Sequence, residues 1–265
     1  MVKPRVVAPI VAVAILMILS LTGCTKSNQA PQVTLQANDL PFGELDSLAD
    51  GKTDKCKQAH GFTDFYEQLL LPMKDTAEKV CEIGIASGGS IVVWQEYFKN
   101  ATVYAIDIED YSKMNSARVK TFVADQANRK LLQSFIRKYK SDYDFILDDG
   151  GHSMEQQQVS LGFFFKHVKP GGYYIIEDVH TSISYLYPGF GVNEELSNTT
   201  LGMINDFMIL GMIKSDYLTK EEEKYLNNNI EYCTLFFRND SQHSMSCAFK
   251  KKDSVDRKKE KVNRW

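Results

Sequence analysis

The stretch Glu82-Ile83-Gly84-Ile85-Ala86-Ser87-Gly88-Gly89-Ser90 constrains this chain more than any other. Apolar residues 79–83 read as a strand entering a glycine-rich turn, and residues 89–98 read as the helix that leaves it. Strand, glycine turn and helix in that order form the first unit of a nucleotide-binding α/β domain. Glycine lets a backbone approach a ligand where a Cβ would collide, and a helix N-terminus presents free N–H groups. The spacing from Gly84 to Gly88-Gly89 departs from the Gly-x-Gly-x-x-Gly of dinucleotide dehydrogenases. A carboxylate at the strand end, Glu82, suits a cationic or amine-bearing ligand better than a pyrophosphate. An ordinary strand-to-helix turn has the same outline, so the downstream pattern decides.

That pattern repeats. Apolar residues 101–106 end in Asp107, at the place where such folds hold ribose hydroxyls. Residues 120–124 end in Asp125-Gln126, residues 143–147 run into Asp148-Asp149-Gly150-Gly151-His152, and residues 171–176 deliver Glu177-Asp178. Five short strands alternating with helical segments predict a mostly parallel sheet with its site at the strands' carboxyl ends. Glu82, Asp107, Asp125, Asp149 and Asp178 then converge on one cleft. Residues 201–213 and 220–227 read as helices, and residues 231–237 and 244–250 as an antiparallel hairpin that completes seven strands.

The 265 residues are 43% hydrophobic with a net charge of −3, enough for a full core and no electrostatic case for nucleic-acid binding. Lys3 and Arg5, the apolar run 6–21 and Leu21-Thr22-Gly23-Cys24 resemble a bacterial lipoprotein signal, which implies lipidation at Cys24. An uncleaved membrane anchor is the other reading. Both put the following domain on the extracytoplasmic side. The expected organisation is a signal or anchor over 1–24, a linker over 25–50, an α/β domain over 51–250 and a basic tail over 251–265. Cys81 reads as a buried apolar residue, and Cys233 and Cys247 face one another across the expected hairpin, either paired or as two unlinked thiols.

Thr53-Asp54-Lys55, His60-Gly61-Phe62, Tyr66, Glu82-Ile83-Gly84, Gly88-Gly89-Ser90, Trp94, Asp107, Asp125-Gln126, Asp148 to His152, Lys169-Pro170-Gly171-Gly172 and Ile176-Glu177-Asp178 together resemble the class I S-adenosylmethionine-dependent methyltransferases. More narrowly, they resemble the metal-dependent sugar O-methyltransferases of macrolide and rhamnosyl-polyketide pathways. The resemblance spans residues 53–182, with Gly151 where members usually carry Ser. It implies a Rossmann-like sandwich and a methyl transfer to the hydroxyl of a sugar or glycosylated small molecule. It assigns Glu82, Gly84, Gly88, Ser90, Asp107, Asp125, Gln126 and Asp148 to the S-adenosylmethionine pocket. Asp149 and Asp178, helped by Glu177, would hold Mg2+ or another divalent cation, whose hard charge calls for oxygen ligands.

Methyl transfer to an alcohol requires the hydroxyl to lose its proton as it attacks. His152 is the candidate general base, because imidazole titrates near neutrality; metal ligand or helix cap are its other readings. His60 and Tyr66 are expected to cover the cofactor, and His180 either lines the site or lies on the surface. An exported domain is in tension with a cytoplasmic cofactor. Two alternatives therefore stand beside the enzyme: an exported, catalytically idle binding domain, and a related antibiotic hydroxylase-like enzyme. The expected partners are a hydroxylated acceptor and the membrane, with an oligomer left open.

Overall fold

The computed structural model describes residues 43–192, 198–240 and 243–254. Cys24, the signal or anchor segment and most of the basic tail lie outside the described residues. Among the described residues no helix is long and apolar enough to cross a membrane.

Seven strands form one sheet: β1 (Lys79–Ile83), β2 (Thr102–Asp107), β3 (Val119–Val123), β4 (Tyr143–Asp148), β5 (Val168–Ile176), β6 (Ile230–Phe237) and β7 (Met245–Lys251). Their order is β3-β2-β1-β4-β5-β7-β6. The first five run parallel, and β7 lies antiparallel between β5 and β6. This is the expected Rossmann-like sandwich with a C-terminal antiparallel hairpin. Strand order reverses between β1 and β4, and at such a switch point the two crossovers diverge and open a crevice beyond the carboxyl ends. Ile83 is in register with Asp148, so β1 and β4 end flush at that crevice.

Helices α1 (Glu44–Ala49), α2 (Phe62–Leu70) and α3 (Gly89–Tyr97) cover one face, where Tyr66, Trp94, Tyr97 and Phe145 pack. Helices α4 (Arg129–Tyr139), α5 (Met154–Phe164), α6 (Thr200–Leu210) and α7 (Lys220–Asn229) accompany the other core cluster, which contains Phe135, Phe164, Leu226 and Phe249. Local chemistry sets several starts. Asn128 accepts from the amides of Lys130 and Leu131 to begin α4. Ser153 with Gln156, and Thr219 with Glu222, close reciprocal capping boxes on α5 and α7. The aromatic run Phe163-Phe164-Phe165 is buried in the same core cluster as Phe135.

Two boundaries differ from the sequence reading, and the cysteine pair resolves to one of its two readings. The expected linker does not extend to residue 50, because α1 buries Leu45 and Ala49 completely, and Glu67 accepts the amides of Gly43 and Leu45. The tail does not begin at residue 251, since Lys251 ends β7 and its ammonium donates to the carbonyls of Phe165, Lys166 and Val168. Cys233 pairs in register with Phe249 and Cys247 with Leu235, so the two cysteines are diagonal neighbours, and both are free thiols.

Candidate functional site

The site is assembled at the switch point. Gly84, with φ of +92°, ends β1, and a Cβ there would overlap the Asp149 carbonyl oxygen. Only glycine lets the β1 and β4 ends approach this closely. A Cβ on Gly89 would likewise strike the Lys52 carbonyl, so glycine admits the segment before α2 against the start of α3. The result is a cleft of about 850 Å³, lined by Gly84, Ser90, Asp107, Asp125, Gln126 and Asp149 among others. Asp107 is fixed by two amides: Oδ2 accepts from Ile85 at 2.8 Å and Oδ1 from Glu109 at 2.9 Å.

Three residues assigned to the pocket stand behind its wall or beside it. Glu82 is 1% exposed and does not line the cleft. Its Oε2 accepts from the Trp94 indole at 2.8 Å, while Oε1 has no hydrogen-bond partner. Burial, with Asp149 adding to it and Lys55 offsetting part, pushes this carboxyl up to about 7. Asp148 is buried beneath Gln126, accepting from its amide at 2.8 Å, from Tyr174 at 2.9 Å and from Ser160. Burial raises Asp148 to about 6 against those donors. It therefore positions Gln126 and does not reach the cleft itself. Gly88 is the left-handed cap of α3 and faces Met114.

At one edge of the cleft Asp149, His152 and Asp178 bring ligand atoms within 4.8 Å of one another. His152 Nε2 lies 3.4 Å from Asp178 Oδ2 and 3.9 Å from Asp149 Oδ1. His152 and Asp178 both hold φ of +56°, a left-handed backbone that side chains rarely adopt. Ser153, not His152, caps α5, which removes the helix-cap reading of the histidine. His152 Nδ1 and Asp178 Oδ1 are buried without hydrogen-bond partners. Two hard carboxylates, one imidazole and unsatisfied polar atoms fit a divalent cation.

Glu177 does not join this group. Its carboxylate accepts from Lys55 at 3.0 Å and from the Tyr66 hydroxyl at 2.8 Å, and it is 2% exposed. Burial, reinforced by Asp149, holds Glu177 well above the carboxylate range. Lys55 also binds the Asp149 carboxylate and lies 3.7 Å from Glu82. Burial alone would lower the Lys55 ammonium, but Asp149, Glu177 and Glu82 outweigh it and raise it. Sequence reasoning gave Lys55 no role, because one lysine in a polar stretch reads as solvated until the fold surrounds it. Tyr66, expected over the cofactor, is fully buried and braces Glu177 from behind. His60 lies 3.6 Å from Asp54. His180 is 5% exposed, with Nδ1 3.8 Å from Asp178 and its ring 4.6 Å from that of Tyr187.

This is the Rossmann-like fold of the class I S-adenosylmethionine-dependent methyltransferases, and the chain resembles the macrolide and sugar O-methyltransferases among them. No family model matches it. It is 30% identical over 191 residues to mycinamicin VI 2''-O-methyltransferase of Micromonospora griseorubida, covering 67% of this chain and 46% of that protein. It is 33% identical over 170 residues to demethylmacrocin O-methyltransferase of Streptomyces fradiae, covering 62% and 40%. Among solved structures, the MycE methyltransferase of the mycinamycin biosynthetic pathway, in complex with Mg, SAH and mycinamycin VI, superposes with a TM-score of 0.65 at 28% identity, covering 79% of this chain and 54% of that one. The chain thus spans about half the length of the relatives it matches.

Proposed function

We propose that this chain is an S-adenosylmethionine-dependent O-methyltransferase acting on the hydroxyl of a sugar or glycosylated small molecule, with Mg2+ or another divalent cation. The observation that carries the reading is the double membership of Asp149. It lines the cleft below Gly84 and also stands in the group with His152 and Asp178. A methyl donor in the cleft and a hydroxyl at that group would therefore meet at one residue, which supplies the orientation such a displacement needs. The similarity to enzymes named as sugar and macrolide O-methyltransferases, one of them bound to Mg and SAH, supports the same reading.

Asp107 would accept the ribose hydroxyls, with its carboxylate already fixed by Ile85 and Glu109. The acidic wall suits a sulfonium cation. Asp149 and Asp178, with His152 beside them, would hold the divalent ion, which when bound lowers the pKa of a coordinated hydroxyl. His152 takes the proton as the acceptor oxygen attacks the methyl carbon, and the electrons of the breaking S–C bond return to sulfur. Asp178, 3.4 Å from Nε2, stabilises the imidazolium that results.

For the amino-terminal segment we propose a lipoprotein-type signal with Cys24 lipidated, which anchors the domain extracytoplasmically; its support is the sequence Leu21-Thr22-Gly23-Cys24 after a basic start and an apolar run. Calorimetric titration of S-adenosylmethionine into the full chain with Mg2+ tests the enzymatic reading. Micromolar binding that weakens on Asp107→Ala is expected, and no binding by the folded protein overturns it.

A further inference from the structure

Asp178 stands where two walls meet that the proposed chemistry leaves unassigned. On one side the Tyr187 ring lies 4.6 Å from that of His180, and the Tyr187 hydroxyl is 2.9 Å from His243 Nδ1. On the other, the His60 ring stacks on Phe62 at 5.3 Å, and its Nδ1 lies 3.3 Å from Ser244 Oγ. His180 Nδ1 is 3.8 Å from Asp178 Oδ1, and the Asp178 charge reaches both the His60 ring and the Tyr187 phenol. The walls come from segments far apart in sequence, one before α2 and one after β5. Adjacent residues of the β6–β7 connection, His243 and Ser244, hold one wall each. Arg238 of the same connection secures the joint, donating to the carbonyls of Lys57 and Ala59 at 3.0 and 2.7 Å.

The proposed reaction fixes which molecule passes between these walls. A methyl donor would occupy the cleft beside Gly84 and Asp107, and in-line displacement brings the acceptor to the methyl carbon from the opposite side. His60, His180, Tyr187 and His243 do not line that cleft, so they stand on the acceptor's side of Asp149 and Asp178. His60 and Tyr187 are half-buried and His243 is exposed, a surface that a ligand can reach. Aromatic rings pack against the apolar face of a sugar, and phenol, imidazole and hydroxyl groups bond its hydroxyls. Among the described residues, the neighbouring cations are engaged elsewhere: Arg238 with Asp240, Lys57 with Asp64 and Lys55 with Asp149. Asp54, 3.6 Å from His60 Nε2, adds a carboxylate to the opening, so an anionic substituent would meet like charge. We propose that the two walls form the acceptor subsite, that Tyr187, positioned by His243, is its stacking residue, and that it selects uncharged sugar rings over acidic ones. The proposal rests on the methyltransferase reading for the acceptor's direction of approach.

The test is saturation-transfer NMR on the full chain with Mg2+ and S-adenosylhomocysteine, using methyl α-L-rhamnopyranoside and methyl β-D-glucuronide as probes. Wild type is expected to bind the rhamnoside, and the glucuronide at least about 10-fold more weakly. Tyr187→Ala and His243→Ala should each weaken the rhamnoside at least about 10-fold while leaving the Kd for S-adenosylmethionine unchanged. His243→Asn keeps a polar atom within reach of the Tyr187 hydroxyl and should retain rhamnoside binding, which a merely structural role for the ring would not explain. His243→Lys should raise the affinity for the glucuronide. No rhamnoside binding by wild type, equal binding of the two probes, or unaltered affinity in both alanine variants overturns the proposal. Calorimetry with S-adenosylmethionine separates the two readings. A chain that binds the methyl donor and not the rhamnoside keeps the methyltransferase reading and loses this subsite, and the reverse result does the opposite.

Discussion

His152 Nε2 lies 3.4 Å from Asp178 Oδ2, although one residue follows β4 and the other follows β5. Both hold left-handed backbone angles, a strain of about 1–3 kcal/mol each that neighbouring structure must impose. Strain of this kind concentrates where a side chain has to be aimed, and these two are aimed at each other. His152→Ala is therefore expected to lower methyl transfer by about 10²–10⁴-fold with cofactor affinity unchanged. His152→Gly should lose the same activity while gaining about 1 kcal/mol in stability, because glycine adopts the left-handed angle without penalty. Steady-state kinetics and urea unfolding on both variants check the pair of effects.

Asp107 carries a second expectation. Its two oxygens hold the amides of Ile85 and Glu109, so the carboxylate is oriented before any ligand arrives. Asp107→Ala should weaken S-adenosylmethionine binding at least about 10-fold, equivalent to about 1.4 kcal/mol. It should also cost about 1 kcal/mol of stability through the two orphaned amides. Calorimetry that finds unchanged affinity would place the ribose elsewhere.

Glu82 gives the molecule a pH dependence. Its carboxyl is raised to about 7 in the folded chain against an ordinary value of 4.5, with burial the largest cause. The folded state therefore holds this proton over a range where the unfolded chain has released it. The contribution is fully present below pH 4.5 and is lost as pH rises through about 7. Glu82→Gln removes it, so wild type should lose about 3 kcal/mol relative to the variant between those limits. The Trp94 indole donates to this carboxylate, so Trp94 emission should titrate with the same midpoint in a Trp265→Phe background and stay flat once Glu82 is Gln.

Divalent ions should stabilise the chain measurably. Asp149 and Asp178 stand side by side, and burial together with the Asp149 charge raises the Asp178 carboxyl, a cost in the ion-free protein. Mg2+ in 100-fold excess over its Kd should raise unfolding free energy by about 2.7 kcal/mol. The increment should vanish in Asp149→Asn, and EDTA should abolish both the stabilisation and methyl transfer. Thermal unfolding against Mg2+ concentration is the direct measurement.

Much of this was legible in the residues. The turn at Gly84 and the acid ending each parallel strand are local facts, fixed by periodicity, backbone angle and side-chain reach. The group of Asp149, His152 and Asp178 was half legible, because each strand announces its own last residue. Lys55 was legible only as part of the Thr53-Asp54-Lys55 motif and received no role there, because its partners come from three distant strand ends. The same holds for Glu177, which stands next to Asp178 in sequence and yet turns to Lys55 and Tyr66. Adjacent residues at a strand end point to opposite sides, and only the packed neighbours decide what each one meets.

The sequence by itself determined the alternation of strands and helices, the glycine at the switch point and the set of acids presented at the carboxyl edge, because these follow from short-range sterics and hydrophobic period. The tertiary structure alone decided which acids face the cleft and which lie behind it. It placed Glu82 and Asp148 one layer back, Glu177 against Lys55, and His152 against Asp178. Those choices depend on which charges are buried together, and the cost of burying a charge is set by partners brought from distant parts of the chain.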